Sequence, residues 1–289
     1  MSNTDLIIEE RSRDIGDFLV GRLIPFRKKR MVGPFIFIDH MGPSTIKPGH
    51  YLDIGQHPHI GLSTLTYLLE GSVEHRDTLG TRQLITPESV GWMTAGKGIV
   101  HTERTPESLR DGRAFTMHGY QIWVALPKDK EAIDPQFSFT EPEKLPAWQE
   151  GGLEFKLVAG EGFGHQSPVP VFSDLFMVDV RSEEKSQLNI SGQLKGEIGV
   201  CIVEGYIEAC SERIEKGNML VSKEEDICTI TMGENTHVLL FGGTPFLEER
   251  HIFWNFVASD KEVIEQAKEN WKAKKFEMLE DDKSYIALP

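Results

Sequence analysis

Residues 55–103 read GQHPHIGLSTLTYLLEGSVEHRDTLGTRQLITPESVGWMTAGKGIVHTE, and this stretch decides the fold class. Runs rich in β-branched, aromatic and leucine residues, such as Leu65–Glu70 and Gly91–Thr94, alternate with turn residues such as Gly71 and Pro87. Short runs of this composition, bounded by glycine and proline, are typical of β-strands. Helical patterns do not separate them, so the stretch indicates antiparallel sheets and not parallel β–α–β units.

The same pattern continues on both sides of this stretch and predicts an all-β protein. The other predicted strands are Phe35–Asp39, Tyr120–Ala125, Phe155–Ala159, Leu175–Val180, Gly199–Glu204, Asp226–Thr231 and His237–Phe241. One helix is predicted near the C-terminus, where Ser259 and Glu262 have the spacing of a capping box. Four apolar residues then follow at helical spacing, namely Val263, Ile264, Ala267 and Trp271.

Chain length and the midsection predict two domains. The 289 residues amount to about two domains at roughly 150 residues each. Residues 127–152 contain several prolines and a run of charged residues, which is the composition of a segment between domains. We therefore expect two β-domains joined near residue 140.

Charge and composition exclude several classes of protein. The chain has 31 Lys and Arg against 45 Asp and Glu, a net charge of −14, which argues against a broad DNA-binding face. Its apolar runs are shorter than the roughly 20 residues that span a bilayer. The N-terminal residues lack the features of a signal or transit peptide, so we expect a cytoplasmic protein. Cys201, Cys210 and Cys228 form no CxxC pair and are expected to be small buried residues.

Two pairs of polar residues in the opening stretch have the spacing of metal ligands. His57 and His59 are two residues apart, and so are His101 and Glu103. Residues two apart on a strand point to the same face, so each pair presents two side chains together. If the two strands are neighbours, all four side chains converge.

Three imidazoles and one carboxylate suit a divalent transition metal. Four protein ligands leave two octahedral positions for water, O₂ or substrate, unlike a closed tetrahedral zinc site. The residues do not distinguish which metal is bound, so iron, manganese, nickel, cobalt and zinc all stay possible. The alternative that these histidines bind no metal also stays open, because paired histidines on strands are often only surface or core residues.

Three further polar residues lie near the predicted site. His118 and Gln121 fall in or beside a predicted strand and are expected to be a hydrogen-bonded core pair, with a place in the pocket as the alternative. His75 precedes a turn and is expected to lie in a solvated hairpin.

These motifs closely resemble the pirin family of the cupin superfamily. The resemblance rests on HPHIG at 57–61, TYLLEG at 66–71, EHRD at 74–77 and WMTAGKGIVHTE at 92–103. Further matches are QIWVALP at 121–127 and FGGTP at 241–245, so it covers nearly the whole chain. This chain departs from the family pattern at Ile60 and Ser63, where better-known members have arginine and glutamate. The difference predicts a pocket of different polarity.

The resemblance implies a bicupin, with two antiparallel, jelly-roll-like β-barrel domains and a short C-terminal helix. The N-terminal domain, residues 1–140, would hold one metal per chain, usually Fe²⁺, through His57, His59, His101 and Glu103. The C-terminal domain, residues 141–289, would hold no metal.

The resemblance also implies two functions. The first is a non-haem iron dioxygenase of the quercetin 2,3-dioxygenase type, acting with O₂ on a flavonol or a similar enolic small molecule. Glu103 would then be a metal ligand and the catalytic proton acceptor. The second is a metal- or redox-dependent regulator that acts through protein partners, without direct contact to nucleic acid or membrane. A vestigial metal site is the third reading.

Overall fold

Antiparallel β-strands make up most of this computed structural model, which describes residues 4–14, 19–209, 211–222 and 229–289. The first strands are β1 (Thr4–Glu9), β2 (Arg11–Asp14), β3 (Leu19–Ile24), β4 (Phe35–Ile46), β5 (Asp53–His59), β6 (Leu62–Glu70), β7 (Val73–Asp77), β8 (Arg82–Ile85), β9 (Val90–Thr94), β10 (Ile99–Arg104), β11 (Phe115–Ala125) and β12 (Gln136–Thr140). The later strands are β13 (Ala147–Glu150), β14 (Leu153–Gly162), β15 (His165–Gln166), β16 (Leu175–Ser182), β17 (Ser186–Leu188), β18 (Glu197–Glu204), β19 (Tyr206–Ala209), β20 (Glu212–Glu215), β21 (Asn218–Ser222), β22 (Ile230–Met232), β23 (Thr236–Gly243), β24 (His251–Phe253) and β25 (Phe256–Ala258). Three short 3₁₀ helices, Glu107–Leu109, Lys128–Lys130 and Pro142–Lys144, and one α-helix, α1 (Lys261–Lys272), complete the described elements.

The strand predictions are confirmed wherever the structure describes them. They lie inside β4, β6, β9, β11, β14, β16, β18 and β23. Of the predicted strand Asp226–Thr231, residues 226–228 lie outside the described residues, and its end falls in β22. Cys201 is buried in β18, whereas Cys210 and Cys228 also lie outside the described residues.

The strands are distributed over two compact units, each assembled from separate segments of the chain. The first, called the aliphatic unit below, comprises Met1–Ser12, Gly21–Ile38 and Thr140–Phe246. The second, called the histidine unit, comprises Arg13–Val20, Asp39–Phe139 and Leu247–Pro289. The C-terminal residues thus belong to the same unit as the HxH and HxE motifs. The division into domains 1–140 and 141–289 stays a prediction.

The aliphatic unit consists of two sheets around an apolar core. One sheet has the order β1-β21-β18-β23-β16-β14-β13, with β15 paired to β14, and the other has the order β17-β22-β19-β20. Val178 and Val180 of β16 lie on one face because they are two residues apart. They belong to a buried cluster that also includes Val200 and Leu240 of the larger sheet and Ile207 of the smaller one.

The histidine unit contains the sheet β5-β10-β7-β8, which carries the predicted ligands. It also contains the β12-β9-β6-β11 part of a seven-stranded sheet that continues through β4, β3 and β2. The hairpin β24-β25 and helix α1 pack with Ile60 and Val100 in an apolar cluster that includes Phe256 and Trp271.

The sheets are open, whereas closed β-barrels were expected. The all-β, two-domain class is confirmed, but each described sheet order ends at two edge strands, as β5-β10-β7-β8 does. Only two residues, Ile60 and Gly61, separate the end of β5 from the start of β6 in the other sheet. Gly61 has a φ of +67° at this turn, and a Cβ atom there would lie 1.9 Å from the Val257 carbonyl oxygen. This sharp turn carries the chain from the sheet β5-β10-β7-β8 into the sheet that contains β6.

The C-terminal helix is confirmed, but its predicted capping box is wrong. The N-cap of α1 is Asp260, whose side chain accepts a hydrogen bond from the Glu262 backbone N–H. Ser259 is held elsewhere, because its backbone N–H and hydroxyl both donate to the Glu131 carboxylate. Ile264, Ala267 and Trp271 are buried, while Val263 is exposed. Among the helices in the described part of the chain, none is long and apolar enough to cross a membrane.

Candidate metal centre

Strands β5 and β10 bring the three predicted histidines together. In the antiparallel register, His101 lies opposite His57, and Ile99 lies opposite His59. His57 and His59 share a face because they are two residues apart. Each of the three side chains offers one ring nitrogen, and these nitrogens all lie within 4.8 Å of one another. The three residues are 6%, 1% and 0% exposed, so water has little access to the cluster.

The hydrogen bonds of the rings leave nitrogen lone pairs for a metal. His57 Nδ1 lies 2.8 Å from the Gly55 carbonyl oxygen, which can only accept, so the proton is on Nδ1 and the lone pair is on Nε2. His59 Nδ1 and His101 Nε2 are buried without a hydrogen-bond partner. Unpaired buried polar atoms are costly and rare. A bound cation would satisfy them, so the residues present fit a divalent metal.

Burial also keeps these rings in the form that binds metals. It lowers the pKa of His57 to about 4, against the smaller opposing effect of the Gly55 hydrogen bond. Burial and the neighbouring histidines lower the pKa values of His59 and His101 well below the ordinary value. Metal ligation needs neutral imidazole, so protons do not compete for these nitrogens near neutral pH.

Glu103, the fourth predicted ligand, is buried on the same strand but lies outside the 4.8 Å cluster. The register of β10 and β5 shifts after His101, so Glu103 lies opposite Ile54. Its carboxylate accepts a hydrogen bond of 3.2 Å from the Thr66 hydroxyl. Burial raises the pKa of Glu103 above its ordinary value, against smaller opposing effects of His75 and Thr66. The structure thus brings three of the four predicted ligands together, and ligation by Glu103 stays a prediction.

Thr66 also links Glu103 to Gln121. Thr66 of β6 and Gln121 of β11 are direct partners across the sheet, and the Thr66 hydroxyl lies 2.9 Å from the Gln121 amide. The nearest Gln121 atom is the amide oxygen, so the single hydroxyl hydrogen of Thr66 has two acceptors, Gln121 Oε1 at 2.9 Å and Glu103 Oε1 at 3.2 Å. The expected pair of Gln121 with His118 is wrong, since His118 Nε2 lies 3.0 Å from His40 Nε2 instead.

His75 and Asp77 are functional candidates that the sequence analysis missed. Strand β7 pairs with β10 so that Asp77 lies opposite His101 and His75 lies opposite Glu103. His75 is 4% exposed and its ring stacks on Phe137 at 4.5 Å, so the predicted solvated hairpin is wrong. Its Nδ1 is 3.3 Å from His101 Nδ1, and its Nε2 is 3.0 Å from Asp77 Oδ2. The HxD spacing matches that of the HxH motif and was the available signal.

The two positions that depart from the family pattern have ordinary packing roles. Ile60 is 4% exposed and lies in the apolar cluster with Val100 and Phe256. The Ser63 hydroxyl forms a hydrogen bond of 2.9 Å with the Thr94 hydroxyl, its cross-strand partner on β9.

The C-terminal segment holds β5 from the side opposite the histidines. Gln56 lies between Gly55 and His57, so its side chain points away from the His57 face. Its amide nitrogen donates to the Asp282 carbonyl at 2.6 Å, and its amide oxygen accepts from the Leu279 N–H at 2.7 Å. The backbone N–H of Gln56 donates to Ser284 Oγ at 2.9 Å. This network orders the backbone that carries His57 and His59.

Comparisons with known proteins agree with this architecture. Residues 18–124 match the Pirin family, and residues 177–277 match the pirin C-terminal cupin domain. The chain is 44% identical to a pirin-like protein of Caulobacter vibrioides over 99% of both chains. It is 39% identical to a Pseudomonas aeruginosa protein provisionally named quercetin 2,3-dioxygenase, covering 92% of this chain and 82% of that protein. A crystal structure of quercetin 2,3-dioxygenase from Acinetobacter baumannii superposes with a TM-score of 0.89 at 35% identity, covering 98% of this chain and 94% of that one.

Proposed function

The chain belongs to the pirin family, and we propose that it is a metal-dependent dioxygenase of the quercetin 2,3-dioxygenase type. Its substrate would be a flavonol or a similar enolic small molecule, which reacts with O₂. The observation that carries the proposal is the cluster of three buried histidines with ring nitrogens within 4.8 Å of one another. The names of two relatives of high coverage support the reaction type.

We propose that His57, His59, His101 and Glu103 bind one divalent metal per chain, with Fe²⁺ as the metal. Three neutral nitrogens and one carboxylate suit Fe²⁺, and manganese, nickel, cobalt and zinc are the alternatives that metal analysis would distinguish. A bound divalent cation would supply Lewis-acid stabilisation of an enolate and one-electron chemistry with dioxygen.

The chain's own residues would bind the substrate hydroxyl and move its proton. Glu103 would accept the proton of the enolic hydroxyl, and the Thr66 hydrogen bond of 3.2 Å would orient the receiving carboxylate. Trp123, whose ring meets His59 edge-on at 5.1 Å, would exclude water from the histidines. The overall reaction adds both atoms of O₂ to the flavonol and releases one CO, so its atoms balance without a further reductant.

The test compares the wild-type protein with a His57→Ala/His59→Ala variant, both purified without oxygen. Elemental analysis would give the metal content, and an oxygen electrode would measure uptake with quercetin. We expect about one iron per wild-type chain, with iron and uptake both lost in the variant. A His50→Ala variant is the matched control, because His50 is exposed in a loop outside the cluster.

Two other outcomes would redirect the proposal. Metal bound through the histidines without oxygen uptake would favour the regulator that acts through protein partners. A wild-type protein without stoichiometric metal would contradict the metal centre itself. A Glu103→Gln variant that keeps both metal and full uptake would contradict proton acceptance by Glu103.

A further inference from the structure

A line of hydrogen bonds runs from the turn after β7 through two buried side chains to the histidine cluster. We propose that Asp77, acting through His75, holds His101 in the tautomer whose Nε2 lone pair is free for a metal. This inference rests on the proposed metal centre, but its central claim concerns protons of the metal-free protein. Asp77 and His75 are positioning residues in this scheme, because they act through His101.

The Asp77 carboxylate is the acceptor at which this series of hydrogen bonds begins, and backbone hydrogen bonds hold it in place. It is 0% exposed, and its Oδ1 accepts hydrogen bonds from the backbone N–H groups of Leu79 at 2.9 Å and Thr81 at 3.1 Å. Its Oδ2 faces His75 Nε2 at 3.0 Å. Asp77 is therefore a carboxylate that only accepts hydrogen bonds.

The tautomers of both rings follow from this acceptor. Because Asp77 only accepts, His75 must carry a proton on Nε2, and in the neutral ring the Nδ1 atom then has the lone pair. That lone pair faces His101 Nδ1 at 3.3 Å, so His101 must place its own proton on Nδ1. The lone pair of His101 is then on Nε2, the buried nitrogen without a hydrogen-bond partner.

Neighbouring aromatic rings hold His75 and His101 in place. Phe137 stacks on the His75 ring at 4.5 Å with an angle of 22° between the planes, which limits rotation of the ring. The His101 ring lies 4.2 Å from that of His57, and one of its nitrogens belongs to the cluster. Residues that orient a ligating histidine in this way typically contribute about 10- to 100-fold to metal affinity.

An Asp77→Asn variant reverses the donor and acceptor roles along these hydrogen bonds without changing the shape of the side chain. The Asn oxygen can still accept from Leu79 and Thr81, which places the NH₂ group opposite His75 Nε2. That nitrogen must then accept, so the His75 proton moves to Nδ1 and requires a lone pair on His101 Nδ1. The His101 proton then moves to Nε2, where it competes with a metal.

The first measurement is the tautomer of His101 in the metal-free protein at pH 8, from the ¹⁵N shifts of the ring. We expect Nδ1–H in the wild type and Nε2–H in Asp77→Asn. The second measurement is zinc affinity at pH 8, by competition with a chromogenic chelator. We expect Asp77→Asn to bind zinc about 10- to 100-fold more weakly.

The matched control is Asp179→Asn in the aliphatic unit. Asp179 is also buried on a strand beside a histidine, with Oδ1 2.8 Å from His237 Nε2. This variant should keep wild-type zinc affinity. If Asp77→Asn does not fold, the pair His75→Gln and His75→Leu replaces it. Gln can donate to Asp77 and accept from His101, so it should bind zinc more tightly than Leu.

The outcomes separate this inference from the proposed function. The inference alone would be overturned if the wild type binds zinc and has a free His101 Nε2, but Asp77→Asn shows the same His101 tautomer and the same zinc affinity. A wild type that binds no metal would overturn the proposed function. In that case the NMR measurement would still test the proposed hydrogen bonds, because a His101 Nε2–H tautomer in the wild type would contradict them.

Discussion

The buried faces of the two units have the same strand geometry but opposite chemistry. In the aliphatic unit, alternate residues such as Val178 and Val180 fill an apolar core. In the histidine unit, alternate residues of β5, β7 and β10 are His57, His59, His75, Asp77 and His101, all buried. An antiparallel ladder accepts either set, because it specifies only which residues share a face. What differs is the cost of burial, since each polar atom needs a partner and each methyl group does not.

The largest expected effect is on metal binding, from a variant that makes the histidine unit resemble the aliphatic one. His101→Leu should lower zinc affinity by at least about a hundredfold, because it removes a ligand nitrogen. The unfolding free energy of the metal-free protein should fall by about 1–3 kcal/mol, because leucine leaves the buried His75 Nδ1 without its hydrogen-bond partner. Chelator competition and urea unfolding measure the two quantities. A large loss of stability with metal affinity intact would contradict the comparison.

The reverse experiment removes an apolar side chain from the other unit. Leu240→Ala should lower the unfolding free energy by about 2–5 kcal/mol, because Leu240 is fully buried in the aliphatic core. Zinc affinity of the folded protein should not change. Val263→Ala, at an exposed position of α1, is the control and should change stability little. Loss of zinc binding in folded Leu240→Ala protein would break the distinction between the units.

Acid should destabilise the metal-free protein through the histidine unit. Burial lowers the pKa of His57 from 6.5 to about 4, so between these values the unfolded chain binds a proton that the folded chain does not. The stabilising effect of the neutral ring is complete above pH 6.5 and is lost as the pH falls towards 4. For His57 alone, the loss amounts to about 3 kcal/mol. Urea unfolding from pH 7.5 to 4.5 measures it, and the His57→Ala/His59→Ala variant should show a smaller loss; equal losses would contradict the assignment.

The smallest expected effect comes from the hydroxyl that holds Glu103. Thr66→Val removes the hydroxyl contacts to the Glu103 carboxylate and the Gln121 amide while keeping the side-chain shape, so it should cost about 1–2 kcal/mol of stability. Oxygen uptake with quercetin should fall about tenfold, because the carboxylate loses its orientation. Thr102→Val is the matched control, since Thr102 is buried on β10 and its hydroxyl has no hydrogen-bond partner. Equal effects of the two substitutions would show that Thr66 does not orient Glu103.

Local patterns predicted more of the fold than of the site. Strand composition located β4, β6, β9, β11, β14, β16, β18 and β23, because strand preference acts over a few residues. The period of two predicted that His57 and His59 share a face. The same period applies to His75 and Asp77, but their position before a turn indicated a solvated hairpin. The helix cap was misplaced by one residue, because the bond from Ser259 to Glu131 depends on a contact distant in sequence.

The sequence by itself determined the all-β class, the pirin family and the residues that can donate lone pairs to a metal. Only the tertiary structure decided that β10 lies between β5 and β7, which places His57 on one side of His101 and Asp77 on the other. It also decided that the sheets stay open and that the C-terminal segment holds Gln56. The physical reason is that side-chain alternation is local, whereas strand order and register depend on hydrogen bonds between residues far apart in the chain.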